Sequence, residues 1–442
     1  MTRRSVEAAS VSPDRVTMPR LAAGAGAAIL TVALLAGAAA PATAAPGAAA
    51  DAVSSAAGVA SAGAAAAGAA TAGPLAAVGS GETGPENRPE LRRALQRLVD
   101  AGAVGAQLRV TDENGTWTGT AGRRSLGGHG GVPADGRFRI GSATKTITAT
   151  IVLQLVAEGR IGLDDPVAGV VPLDGLDPRI TVRMLLQHTS GLLSYSGAID
   201  ADGTYVPGIA GTLDELMANR LRGHEPEELV RYALDRPARF EPGTAWEYSN
   251  TNYTLAVLLV EALTGESYGQ QVAERIVRPL GLRDTFAPGD RTAIPGPHAH
   301  AYYRFADGHV EDVTRMNPSG FAGAGDLIST TADLGTFATA LAAGELLPSA
   351  LLEEMRTPLA GSGVPVYGEY GLGLFVQDLG PGCGVVVSHN GGLPGYATLM
   401  YTSPDGATTL TGSVNYTDDA TNSLAPEFIA TTAHLTREVF CA

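Results

Sequence analysis

Ile140-Gly141-Ser142-Ala143-Thr144-Lys145 opens a stretch in which Ile147, Ile151, Val152 and Leu155 recur before Gly159. Apolar residues spaced three to four apart predict a helix, and glycine is the residue that best ends one in a left-handed turn. The threonines and isoleucines here would also suit a strand. On a helix, Ser142 and Lys145 share a face in the first turn, where free backbone N–H groups and the positive end of the helix dipole gather. A serine hydroxyl is a weak nucleophile until a base takes its proton. Lysine can be that base only as a neutral amine, which burial and a positive helix end both favour, whereas a guanidinium stays charged. Lys145 is the only lysine in the chain; the other 29 of the 30 Lys and Arg residues are arginine. The alternative is a serine helix cap followed by a surface lysine.

Two further elements lie downstream. Tyr248-Ser249-Asn250 stands just before a predicted helix at Thr251–Thr264. A tyrosine oxygen can relay protons and an asparagine amide can hold a substrate carbonyl, although Ser249 and Asn250 also read as ordinary N-caps. His389-Asn390-Gly391-Gly392 follows the short apolar run Val385–Ser388. A glycine-rich strand edge lets a substrate backbone approach and leaves N–H groups for an oxyanion hole; by itself it equally describes a hairpin with a solvent-facing histidine.

Taken in order, Ser-x-x-Lys, Tyr-x-Asn and His-x-Gly resemble the signature of the penicillin-recognising serine hydrolases. These are the D-alanyl-D-alanine carboxypeptidases and class C β-lactamases, with their esterase and D-aminopeptidase relatives. The resemblance runs from about Arg92 to the end and includes the turn Leu186-Gln187-His188-Thr189-Ser190-Gly191, Glu241-Pro242-Gly243 and Tyr370-Gly371-Leu372-Gly373. It implies an α/β (α+β) fold, with an antiparallel sheet built from both chain ends, flanking helices and an inserted all-helical lobe at about 166–330. It implies that Ser142 is acylated, that Lys145 and Tyr248 share the proton transfers, and that Asn250, His389, Gly391 and Gly392 bind substrate. The N–H groups of Ser142 and Gly392 would form the oxyanion hole, and His389 would replace the lysine of the third motif. It implies no cofactor and no metal.

The chain also departs from the actinomycete carboxypeptidases it resembles. Asn390 and Gly392 stand where those enzymes carry hydroxyl residues. Leu374-Phe375-Val376 occupies the place of the arginine that binds a terminal carboxylate, and the pocket aromatic is displaced to Gly320-Phe321. The expected activity is that of a D-alanyl-D-alanine carboxypeptidase-like peptidase on peptidoglycan peptides. An esterase or class C-like β-lactamase is the alternative, and a non-hydrolytic peptidoglycan-binding or sensor module the second.

Outside the motifs, Arg15 and Arg20 precede an apolar run from Leu21 to about Ala40, and Ala42-Thr43-Ala44 offers a small-residue cleavage pattern. This predicts an export signal over 1–44, with an uncleaved anchor as the alternative, and a start at Met1 or Met18. Residues 45–84 are nearly all Ala, Gly, Ser, Thr and Val, too poor in large side chains to offset ordering, and predict a disordered linker. The catalytic unit is then 85–442. The formal net charge of −15 argues against a nucleic-acid partner. The partners expected are a small peptide, ester or β-lactam, with no stable membrane span after signal cleavage and a secreted, monomeric protein. The pair Cys383 and Cys441 is expected to close a disulfide in an exported chain, the alternative being two independent thiols. His298, His300 and His309 lie close in sequence but lack a cysteine partner for a zinc site. No Gly-x-Ser-x-Gly elbow occurs.

Overall fold

The long strand Thr409–Asp419 runs antiparallel beside Ala103–Asp112, with Leu410 opposite Val110 and Val414 opposite Ala106. Both ends of the catalytic unit thus meet in one sheet. In this computed structural model, residues 82–83, 88–200, 204–364, 366–421 and 423–441 are described. The signal expected at 1–44 and all but Glu82–Thr83 of the expected linker lie outside the described residues. Those two pair with Gly119 and Thr118 at the sheet edge. The sheet therefore begins before the boundary at 85, because edge pairing uses the backbone and asks for no large side chain.

From that edge the order is Gly115–Gly122, Ala103–Asp112, Thr409–Asp419, Tyr396–Thr402, Val385–Ser388, Phe375–Asp378 and Glu369–Tyr370. Successive side chains of a strand point to opposite faces, so each strand feeds two cores. Ala106, Leu108, Val110, Leu399 and Tyr401 pack under the helices Pro89–Asp100 and Ala425–Phe440. Tyr396 and Met400 join the larger core around Thr144–Ala157 and Thr331–Ala342. The terminal helix Ala425–Phe440 is an element that the sequence analysis does not place.

Thr144–Ala157 is a helix, so its threonine and isoleucine content does not make it a strand. It is buried on almost every side, which suits a central helix. Its threonine hydroxyls are satisfied inside the fold: Thr146 donates to Gly373 O, Thr148 to Gly323 O and Thr150 to Thr146 O. Gly159 follows it at φ +67°.

The segment inserted between the sheet halves carries the helices Val182–Leu186, Leu213–Ala218, Pro226–Leu234 and Asn250–Thr264. It also carries short strands. One of them, Tyr302–Arg304, pairs in parallel with Thr417–Asp419 and so ties the lobe to the sheet. Cys383 and Cys441 are disulfide-bonded, fastening the end of the last helix to the hairpin before Val385. Among the described residues no helix is long and apolar enough to cross a membrane.

Candidate active site

Ser142 sits in a single 3-10 turn, Gly141–Ala143, that leads into the helix beginning at Thr144. Ser142 thus precedes the α-helix instead of standing in its first turn, yet the shared face is kept. Lys145 is fully buried, and its Nζ lies 3.1 Å from Ser142 Oγ. The amine also reaches Asn250 Oδ1 and Ala324 O, each at 2.7 Å. Both are acceptors. A neutral amine has two N–H groups and one lone pair, so these acceptors take its protons and leave the lone pair for the Ser142 hydroxyl. Burial pushes Lys145 well below its ordinary value, with the Asp326 charge acting the other way. The surface-lysine alternative is thereby removed.

Asn250 is the first residue of its helix, and Ser249 at the N-cap makes no side-chain cap bond. The capping alternative is not realised. Instead Asn250 Nδ2 donates to Ser196 Oγ at 2.9 Å, and its backbone N–H to Ser194 Oγ at 3.2 Å. Ser196 orients the side-chain amide so that its oxygen faces Lys145, and Ser194 holds the Asn250 backbone; sequence reasoning missed both because Ser194-Tyr195-Ser196 reads as a plain loop. Tyr248 stands beside Lys145, whose Nζ is 4.8 Å from its ring centroid. Burial pushes the Tyr248 hydroxyl well above its ordinary value, partly offset by Ser142. It is a neutral phenol, able to give a proton.

His188 is buried, the one non-glycine residue among those described with positive φ, at 62°. Its Nδ1 accepts the Ser249 amide at 3.2 Å and Asn252 Nδ2 at 3.1 Å. Its ring lies 4.3 Å from that of Tyr248. The turn Leu186-Gln187-His188-Thr189-Ser190-Gly191 thus buttresses the tyrosine.

His389 is 1% exposed, not solvent-facing. Its Nδ1 is 2.9 Å from Asn390 O, which can only accept, so Nδ1 carries the proton and Nε2 accepts from Tyr370 OH at 3.1 Å. Burial, reinforced by Lys145, holds the ring down at about 3. His389 is therefore neutral and supplies no cation in place of the motif lysine. Beside it, Leu374 and Phe375 are buried and Val376 partly so.

The glycines bring strand and nucleophile turn together. A Cβ on Gly391 would stand 1.9 Å from Ile140 O, and one on Gly141, at φ +51°, would stand 2.7 Å from Gly392 N. No side chain fits between the Ser142 turn and Gly391–Gly392, the close approach an oxyanion hole of two backbone amides requires.

From Tyr248, Asn250 and Gly392 a cavity of about 210 Å³ opens into the inserted lobe. Ile209, Leu213, Leu216, Met316, Phe321 and Leu393 give it an apolar wall. Arg220, Arg222 and His224 at its border are matched by Glu311 and Glu228. The histidines near residue 300 are elsewhere occupied: His300 faces Asp312 at 2.7 Å and His309 faces Asp307.

The Beta-lactamase family model matches residues 91–433. A D-stereospecific amidohydrolase from Streptomyces sp. superposes with a TM-score of 0.69 at 38% identity, covering 80% of this chain and 99% of that one. Penicillin-binding protein 4* of Bacillus subtilis (strain 168) is 30% identical over 296 residues, 64% of this chain and 61% of its own. Esterase EstB of Burkholderia gladioli is 36% identical over 171 residues, 36% of this chain and 42% of its own. The matched stretches thus span less than two thirds of these curated relatives.

Proposed function

The chain belongs to the Beta-lactamase family, and from that premise we propose that it is an exported, monomeric serine hydrolase working through an acyl-enzyme on Ser142. Its substrates are small amides, peptides or esters with an apolar acyl side chain and an uncharged leaving end. The observation that carries this reading is the contact of the buried Lys145 Nζ with Ser142 Oγ at 3.1 Å, beside Asn250 Oδ1 and Ala324 O as its other partners.

In the proposed sequence Ser142 Oγ attacks the carbonyl carbon as its proton passes to Lys145. The developing oxyanion is met by the N–H groups of Ser142 and Gly392. The proton then moves through the neutral Tyr248 hydroxyl to the leaving group. Water follows the same path in reverse to release the acid and restore Ser142. Asn250, held by Ser196, faces the acyl chain, which enters the apolar cavity.

A D-alanyl-D-alanine carboxypeptidase is the narrower reading. It calls for a cation at the free carboxylate, and a neutral His389 beside buried Leu374 and Phe375 argues for an amide or ester instead. The similarity to a D-stereospecific amidohydrolase supports a D-configured acyl group.

The test is intact-protein mass spectrometry with a p-nitrophenyl ester and a penicillin, followed by turnover of D-phenylalaninamide against a D-Ala-D-Ala peptide. The expected result is an adduct on Ser142 and faster turnover of the amide. An unmodified Ser142 under both reagents would sink the hydrolase reading and leave a binding module. Faster turnover of the peptide would restore the carboxypeptidase.

A further inference from the structure

The turn that supplies Ala324 O carries a carboxylate that belongs to none of the three motifs. Asp326 is 6% exposed, and its Oδ1 accepts the Gly323 amide at 3.0 Å. Three successive carbonyls of the same turn are each held by side chains of the helices Thr144–Ala157 and Asn250–Thr264. Thr254 donates to Ala322 O at 2.8 Å, Thr148 to Gly323 O at 2.7 Å, and Lys145 to Ala324 O at 2.7 Å. Gly323, at φ +68°, could not carry a side chain here, since its Cβ would stand 2.2 Å from Val257 Cγ2. Asp326 and the Lys145 amine are thus fixed in one frame.

A buried carboxylate is costly without a cation, and among the described residues Lys145 is the one basic group whose charge, once formed, acts on this one. The other titratable groups that Asp326 acts upon are Tyr195 and Tyr268, both buried phenols pushed up from their ordinary range. His188 and His389, the remaining groups coupled to Lys145, are held neutral by burial.

We propose that Asp326 is a positioning residue for Lys145, its carboxylate stabilising the ammonium formed when the amine takes the Ser142 proton. The proposal rests on the acylation reading above. In that step the Ser142 O–H bond breaks and its proton joins the Lys145 lone pair. Oγ bonds the acyl carbon while the carbonyl pair moves onto oxygen. The amine passes from neutral to a single positive charge, while the Asp326 carboxylate on the turn that carries Ala324 O is itself unchanged. Burial holds Asp326 up at about 7, so this support grows as pH rises through neutrality.

Sign and size follow. Asp326→Asn keeps an oxygen for the Gly323 amide and removes the charge, so Lys145 loses its proton at lower pH and becomes a weaker base. In single-turnover acylation of the full chain by a p-nitrophenyl ester, the plateau rate falls about tenfold and the acid limb moves down by roughly one pH unit. An unchanged profile, or a lower plateau with an unmoved limb, overturns the proposal, because structural damage would lower the rate without shifting the limb.

A second measurement stands even where the variant does not fold. Because Lys145 is the only lysine, ε-15N-lysine labelling places one NMR reporter at this amine. In the unsubstituted protein its signal is expected to follow the Asp326 titration near pH 7. A signal that stays flat there overturns the coupling. Failure to acylate Ser142 at all would remove the hydrolase reading while leaving this titration to decide the coupling separately.

Discussion

What Lys145 can offer and an arginine cannot is an amine that loses its charge on burial. Lys145→Arg is therefore expected to remove acylation nearly as fully as Ser142→Ala. Loss of a general base costs on the order of a thousandfold, read as the burst rate with a p-nitrophenyl ester. Retained bursts in the arginine variant would refute the neutral-amine role. This residue was legible in the sequence because the reaction constrains the side-chain type. Its partners were less so. Ala324 contributes a carbonyl oxygen, which any residue could provide, and Asp326 looks like any other acidic residue until its burial is known. His389 could be read by position but not by charge, because its neutrality comes from burial among Tyr370, Phe375 and Lys145.

The element that would fix the oxyanion geometry in the proposed mechanism is the strand Gly391–Leu393, paired with Tyr396–Thr402 through Gly391–Thr398 and Gly392–Ala397. Gly391→Ala would press a methyl against Ile140 O, at 1.9 Å, and push the strand away from Ser142. The expected outcome is a fall in kcat of roughly a hundredfold with the fold retained, checked by steady-state kinetics beside circular dichroism. Full activity in that variant would show that the amides of this strand do not meet the oxyanion. The glycines announced such an approach in sequence, although not which backbone would do the approaching. The helix Ala425–Phe440 went unread for another reason. Its buried Phe428, Thr431, Leu435 and Val439 fall three to four apart, but two of the inward positions around them are threonines, which blur the apolar stripe on which periodicity depends.

At the scale of the molecule, the sheet and the inserted lobe would supply different halves of the proposed chemistry. The sheet brings Gly391 and Gly392 to the nucleophile turn, and the lobe contributes Tyr248, Asn250 and the cavity wall. The disulfide belongs to neither half. In the hairpin of Phe375–Asp378 and Val385–Ser388, Phe375 pairs with Ser388 at the end beside His389, while Asp378 pairs with Val385 at the end beside Cys383. The bond thus anchors the last helix to the end of the hairpin remote from Ser142. Its sequence separation of 58 corresponds to about 4 kcal/mol in the chain-entropy description. For a folded unit of this size that is on the order of 5 °C in Tm. Replacing both cysteines by serine is accordingly expected to lower Tm by that amount while leaving kcat/KM for a p-nitrophenyl ester unchanged at 25 °C, measured by differential scanning calorimetry alongside kinetics. A loss of kcat/KM without a drop in Tm would mean that the hairpin transmits the position of the last helix to His389, making the bond part of the site rather than a brace for the sheet.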